Sequence, residues 1–254
     1  MKKIFFIFTI VLVFAGQSLL SPNVSAEIYG FGFKRSRNFI RACPGEEVKN
    51  ILARYNSYYI GKDEKVMYLT FDCGYENGFT PQILDTLKEF DISAAFFVTG
   101  GFIKKNPDLI TRMLDEGHII ANHTNQHKNM AKISEEEILL DLEENNIIFK
   151  EATGQDLSRF IRPPEGQFSE TSLRITNEKE YINVFWSISH VDWYVNDQPS
   201  NEDSLKTLMN QVHNGGIILL HNISRANAEI LKDFISMSHD LDYSFKNLDY
   251  LIQE

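Results

Sequence analysis

From Lys65 onward, short runs of β-branched and aromatic residues alternate with longer amphipathic stretches, and this alternation admits little besides a chain of βα units. The pattern predicts strands over 66–71, 94–98, 119–122, 159–162, 183–187 and 217–220, with a seventh at 243–245. Between them it predicts helices over 81–90, 107–116, 134–153, 202–214 and 226–237. End signals support these limits: Ser134 with Glu137 forms a capping-box pattern, Gly117 and Gly154 stand where helices should stop, and Pro81 suits a first turn. Seven strands with helices between them predict an α/β fold, a barrel of parallel strands, closed or incomplete, rather than an open doubly wound sheet. There is no Gly-rich phosphate loop, so a nucleotide-binding reading lacks its main feature.

The N-terminus sets the compartment. Lys2 and Lys3 precede an apolar run over 4–15, and Val24, Ser25 and Ala26 are small, which is the layout of a secretory signal peptide over 1–26. An uncleaved membrane anchor is the alternative, although this run is short of the roughly 20 residues that span a bilayer. Residues 27–62 lack a sustained period and read as a leader packed on one domain, 63–254. Taking Lys2 and Lys3 from the 25 basic residues, against 35 acidic ones, moves the formal charge from −10 to −12. Nucleic acid is therefore not an expected partner. The cysteines, Cys43 and Cys73, are too few for a disulfide framework.

Polar residues able to do chemistry gather where the predicted strands end: Asp72, then His123 and His127, then Arg162, Asp192 and His221. In a parallel barrel those ends share one face, so the six can converge. Each has a plain alternative. An Asp at a strand end commonly caps the next turn, Arg162 could pair a surface acid, Asp192 could mark a turn beside a core Trp193, and a lone buried His221 is usually structural. His123 and His127, four apart, could share one cation or simply lie on the surface, with equal weight on spacing alone. Two prolines and a glycine around Arg162 fix its backbone, as a guanidinium held against a catalytic carboxylate would require.

In order, these segments resemble the five motifs of the polysaccharide deacetylase (NodB-homology) family over residues 66–222. Asp-Cys-Gly-Tyr-Glu-Asn-Gly, Arg-Pro-Pro-Glu-Gly-Gln-Phe-Ser-Glu, Val-Asp-Trp-Tyr and Leu-Leu-His-Asn-Ile-Ser are most similar to the delta-lactam-biosynthetic de-N-acetylase branch, and the leader Gly-Phe-Gly-Phe-Lys-Arg-Ser-Arg-Asn extends the match. The resemblance implies a distorted, incomplete (β/α) barrel of about seven parallel strands. It also implies a hydrolase of linear amides acting on N-acetylmuramic acid in peptidoglycan during construction of the spore cortex, secreted or extracytoplasmic, and monomeric. By that resemblance Asp72 is the catalytic base, His123 and His127 hold a divalent metal, usually zinc, and Arg162 orients Asp72. His221 is the general acid tuned by Asp192, Trp193 and Leu219 wall the acetyl pocket, and a backbone N–H near Glu165 meets the oxyanion. Tyr75 is a candidate for stacking on sugar.

Two positions depart from the family pattern. Cys73 stands where most relatives carry a metal-binding Asp; it either completes a His-His-Cys site as a thiolate or leaves the metal to two histidines and water. Glu165 replaces the usual Tyr, and its charge opposes the lactyl carboxylate of muramic acid; Arg162, Lys128 and Arg174 are candidates to offset it. Deacetylation of N-acetylglucosamine in peptidoglycan or chitin-like oligomers is the close rival. A glycan-binding module that has lost catalysis is the alternative of a different class, against which stands the retention of acid and base together.

Overall fold

A computed structural model describes residues 27–253, and the predicted signal peptide lies outside them. In chain order the strands are β1 (Tyr29–Gly30), β2 (Ser57–Tyr58), β3 (Val66–Cys73), β4 (Ala95–Val98), β5 (Ile119–Asn122), β6 (Phe160–Ile161), β7 (Gln167–Phe168), β8 (Ile182–Val184), β9 (Ile188–Ser189), β10 (Gly216–His221) and β11 (Ser244–Phe245). The helices are α1 (Glu46–Arg54), α2 (Thr80–Glu89), α3 (Gly100–Lys105), α4 (Pro107–Asp115), α5 (Glu135–Thr153), α6 (Glu170–Glu178), α7 (Asn201–Met209), α8 (Arg225–Asp240) and α9 (Leu248–Leu251). Nine strands form one sheet in the order β2-β8-β6-β5-β4-β3-β10-β9, with β11 beside the start of β3. Every pair in it is parallel. The sheet curls into the expected distorted, incomplete barrel. Each of the seven expected strands has a counterpart; β2 and β9, two residues each, are too short to show a period.

Alternation along the strands decides what faces the barrel interior. On β3, Val66 and Tyr68 pack inward with Ala95, Phe97, Ala121, Phe160, Ile182, Val184 and Ile217. Met67, Leu69, Phe71 and Cys73 turn the other way, onto the layer of α2, α4 and α8, with Ile83, Leu87, Ile110, Leu231 and Phe234. Helix ends follow the sequence signals: Ser134 and Glu137 form a complete capping box, and Gly154 closes α5 in the left-handed conformation at φ 75°. α7 stops at Met209, short of the predicted 214, where Gln211 turns back to bond the Ser189 carbonyl.

The leader lies on this scaffold. β1 pairs antiparallel with β7, and Phe31 stacks on Phe185 and meets Trp186 edge-on. At the other end of the barrel, Gly215 ties the chain before β3 to the start of β10: its N–H donates to the Glu64 and Val66 carbonyls, and its carbonyl accepts from Gly61 N–H at 2.7 Å. Gly215 sits at φ +70°, and an added Cβ would lie 2.4 Å from the Lys62 carbonyl oxygen. Gly215→Ala should therefore destabilise the fold by ~2 kcal/mol or more, combining left-handed strain with a backbone clash. Guanidinium unfolding should show a lower midpoint at an unchanged slope.

Candidate active site

Asp72 is the inward-facing residue at the end of β3, and the register of the parallel pair sets His221, the last residue of β10, directly beside it. Arg162, just after β6, points the same way into the barrel. Its guanidinium is 0 % exposed and donates to Asp72 Oδ1 at 2.7 Å and to Thr70 Oγ1 at 2.8 Å, while Nε donates to the Val184 carbonyl at 2.8 Å. Its flat face lies 4.2 Å from the centre of the Phe97 ring. A rigid fork with each edge occupied holds Oδ1 of Asp72 in the site. Burial works to raise the Asp72 pKa, but Arg162, His123 and His221 together outweigh it and hold the carboxyl below its ordinary value. Asp72 is thus an anion at neutral pH.

His123 and His127 stand on a loop after β5. Thr124 and His127 both adopt left-handed backbone, at φ 63° and 56°. Buried side chains make the bend possible: Asn122 Oδ1 accepts from Thr124 N–H at 2.8 Å, Thr124 Oγ1 accepts from His127 N–H, and Asp141 on α5 accepts from Gln126 N–H. The two imidazoles meet edge to face with centres 4.8 Å apart. His123 Nδ1 bonds the Arg162 carbonyl at 2.8 Å, which fixes that nitrogen as the N–H and leaves Nε2 as a lone pair, 3.6 Å from Asp72 Oδ2. Burial, opposed by Asp72, lowers the His123 pKa to about 4, so the ring is neutral at pH 7.

Two neighbouring imidazoles, one a neutral ring with a backbone-fixed tautomer, fit a divalent cation. Among the described residues no three His, Cys, Asp or Glu side chains stand in a ligating arrangement. Cys73 does not join them. Its neighbour Asp72 faces the barrel, so alternation sends the thiol outward among the apolar side chains under the helices, fully buried, with its pKa pushed well above the usual value by burial. Of the two readings, the structure supports the neutral side chain.

Opposite Asp72, Asp192 orients His221. Its Oδ1 meets His221 Nδ1 at 2.7 Å and its Oδ2 accepts from the His221 backbone N–H at 2.8 Å. Burial works against a charged His221, but Asp192, by charge and hydrogen bond, and Asp72 overcome it and raise the pKa above its ordinary 6.5. Asn227, in the first turn of α8, donates to Asp192 Oδ2 at 2.6 Å and meets His190 Nε2 through its own oxygen at 2.7 Å. Sequence reasoning overlooked Asn227; a polar side chain three places after the α8 cap residue Ser224 was the available signal. Thr70 and Trp186 were overlooked too, though Thr70 shares strand parity with Asp72 on β3.

These groups open on a cavity of about 700 Å3 lined by Asp72, His123, His127 and His221, with Tyr75, Glu165, Trp186, Trp193 and Leu219 around them. The volume is in the range of small-ligand sites and accommodates a sugar. Trp193 is 45 % exposed at the rim, its ring 6.0 Å from that of His221. Glu165 lines the wall in left-handed backbone, φ 59°, between Pro164 and Gly166; a Cβ on Gly166 would come 2.6 Å from the Trp186 ring. The three expected counter-cations are elsewhere engaged or placed. Arg174 pairs with Glu178 and Glu135 on the surface, Arg162 is committed to Asp72, and Lys128 is exposed outside the lining.

Because Arg162 and Asp72 neutralise each other out of water, loss of the cation alone leaves a buried charge. Arg162→Leu should cost ~3–5 kcal/mol of stability. Arg162→Leu with Asp72→Leu should cost less than the sum of the single changes, as a double-mutant cycle in denaturant would measure.

Comparison with known proteins agrees with this geometry. The sequence profile described as Polysaccharide deacetylase matches residues 60–184. The chain is 40 % identical over 244 residues, 96 % of its length and 93 % of the relative's, to the peptidoglycan-N-acetylmuramic acid deacetylase PdaA of Bacillus subtilis. The solved structure of PdaA, a family 4 carbohydrate esterase, superposes with a TM-score of 0.86 at 41 % identity, covering 89 % of this chain and 97 % of that one. A family 4 carbohydrate esterase from Bacillus anthracis superposes with a TM-score of 0.75 at 38 % identity, covering 89 % and 96 %. A peptidoglycan-N-acetylglucosamine deacetylase of Bacillus cereus is 36 % identical over 154 residues, 61 % of this chain and 54 % of that one. With a base and an acid held side by side over a sugar-sized cavity, and with that likeness running through nearly its whole length, the chain belongs to the polysaccharide deacetylase family of carbohydrate de-N-acetylases.

Proposed function

We propose that this enzyme removes the N-acetyl group of N-acetylmuramic acid in peptidoglycan outside the cytoplasm, acting as a monomer after loss of residues 1–26. The observation that carries the chemistry is the pair of adjacent strand ends bearing Asp72, held by Arg162, and His221, held by Asp192. The near full-length similarity to PdaA supports the muramic substrate.

With the acetamido group between Trp193 and Leu219, the carbonyl carbon is open to a water near Asp72. Ionised Asp72 accepts the proton of that water as it attacks. His123 and His127 would hold a divalent cation, zinc in this reading, which supplies Lewis-acid polarisation of the carbonyl and of water. The backbone N–H of Glu165, at the cavity wall, faces the developing oxyanion. His221, protonated through Asp192, then donates its proton to the departing sugar nitrogen, giving the free amine and acetate. On muramic acid that amine lies on the same ring as the lactyl carboxyl, so six-membered lactam closure is intramolecular and the product suits the spore cortex.

One observation favours a second reading. Among the described residues no lysine or arginine lines the cavity, and Glu165 does, so no lysine or arginine there pairs with a lactyl carboxylate. N-acetylglucosamine, which has no such group, meets no charge penalty. A binding module without catalysis is disfavoured by the separately supported acid and base.

Mass spectrometry of digested glycan decides between the sugars: muramic residues lacking one acetyl unit, with or without a further water, support the proposal, and acetyl loss confined to glucosamine overturns it. Asp72→Asn should lower amine release by about 10²–10⁴-fold while the protein stays folded. The pH profile reads His221. An acid must be protonated, and the His221 pKa is raised, so kcat/KM should be sustained at low pH and fall as pH rises through a limb above 6.5. Asp192→Asn removes the larger raising charge and leaves burial opposed chiefly by Asp72, so that limb should move to lower pH.

A further inference from the structure

One surface of the molecule takes no part in this chemistry. Residues 28–45 contain four basic side chains, Lys34, Arg35, Arg37 and Arg41, and no acid, in a chain whose formal charge is −10. The segment folds as a loop. Lys34 and Cys43 bridge its base, Ser36 and Ala42 are buried beneath it, and Ile40 N–H turns back to the Arg37 carbonyl. At its tip Phe39 is 54 % and Ile40 69 % exposed. Asn38 and Phe39 take left-handed backbone, φ 55° and 62°, a conformation that a bulky residue adopts only where the surroundings impose it. A built loop thus presents two large apolar side chains ringed by cations.

Its location gives this meaning. Phe39 bridges His213, ahead of β10, whereas His221 closes the far end of that strand at the cavity. The loop and the cavity are at opposite ends of the barrel. Around the loop, Arg41 donates to the Gly61 carbonyl and lies 4.0 Å from Asp63, which also accepts from Asn214; Glu64 accepts from the Tyr250 hydroxyl. Among the described residues Lys34, Arg35 and Arg37 have no ion-pair partner.

We propose that this loop docks the enzyme on an anionic lipid surface, Phe39 and Ile40 entering the headgroup and acyl boundary while Lys34, Arg35 and Arg37 meet lipid phosphates. An anionic polymer would attract the arginines and leave the apolar pair in water. A second copy joined loop to loop would cover that pair and set like charges together. Only a lipid surface satisfies both parts. Docking this end directs the catalytic mouth away from the membrane, toward wall glycan, and keeps the acidic body off the anionic surface.

The test uses the full chain carrying Phe39→Trp. The protein's two tryptophans, Trp186 and Trp193, both line the cavity and so report the opposite end. Vesicles of phosphatidylglycerol and phosphatidylcholine with brominated acyl chains should quench the Phe39→Trp protein well beyond the wild type, and vesicles of phosphatidylcholine alone should not. Adding Arg35→Gln and Arg37→Gln should weaken the quenching partition about 30-fold, with deacetylation of a soluble oligosaccharide unchanged. Ile40→Trp serves if Phe39→Trp fails to fold. Quenching no greater than in the wild type, equal quenching on neutral vesicles, or a dimer dispersed by Phe39→Ser overturns the proposal.

Discussion

The site depends on one guanidinium taken out of water. Arg162 is buried inside the barrel, and its cost of desolvation is offset only because each edge of the fork finds an acceptor: a carboxylate on β3, a hydroxyl on the same strand, and a carbonyl at the end of β8. That set of partners comes from strands separated by much of the sheet. The arginine can be satisfied only if the sheet curls far enough to bring β8 over β3. The same residue's carbonyl fixes the tautomer of His123, so one side chain and its own backbone organise both the base and the imidazole pair.

Around that centre, local strain is placed where chemistry needs backbone in unusual positions. Thr124, His127, Glu165 and Gly166 all lie in the left-handed region, and each bend borders the cavity. A buried amide, a buried carboxylate and two prolines hold them: Asn122 and Asp141 under the histidine loop, Pro163 and Pro164 before Glu165, with the leader strand β1 against β7 just beyond it. Residues 27–59 of the leader fall outside the span matched by the family profile, yet Phe31 packs on Trp186, a wall of the cavity.

Much of this was legible in the chain. Periodicity placed seven of the nine strands of the parallel sheet, and the rule that parallel barrels gather chemistry at strand ends brought Asp72, His123, Arg162 and His221 together. Cys73 was legible as well, since alternation forces neighbours on one strand to opposite faces; once Asp72 is turned inward, the thiol goes to the helix side. The two-residue strands β2 and β9 carry no period and were not visible. Asn227 and Thr70 were missed because their importance is a matter of partners far along the chain, and the counter-cation candidates were misjudged because Arg174 is satisfied on the surface by Glu178 and Glu135.

By itself the sequence determined the alternation of strand and helix, the face of each strand, the helix caps and the identity of the reactive groups, because these are set by neighbours within a turn or two. The tertiary structure alone decided the register that sets His221 beside Asp72, the left-handed bend that brings His127 to His123, the burial that keeps His123 neutral, and, among the described residues, the absence of lysine and arginine from the cavity wall. Those outcomes depend on distances and solvent exclusion between segments far apart in the chain, which composition and spacing do not encode.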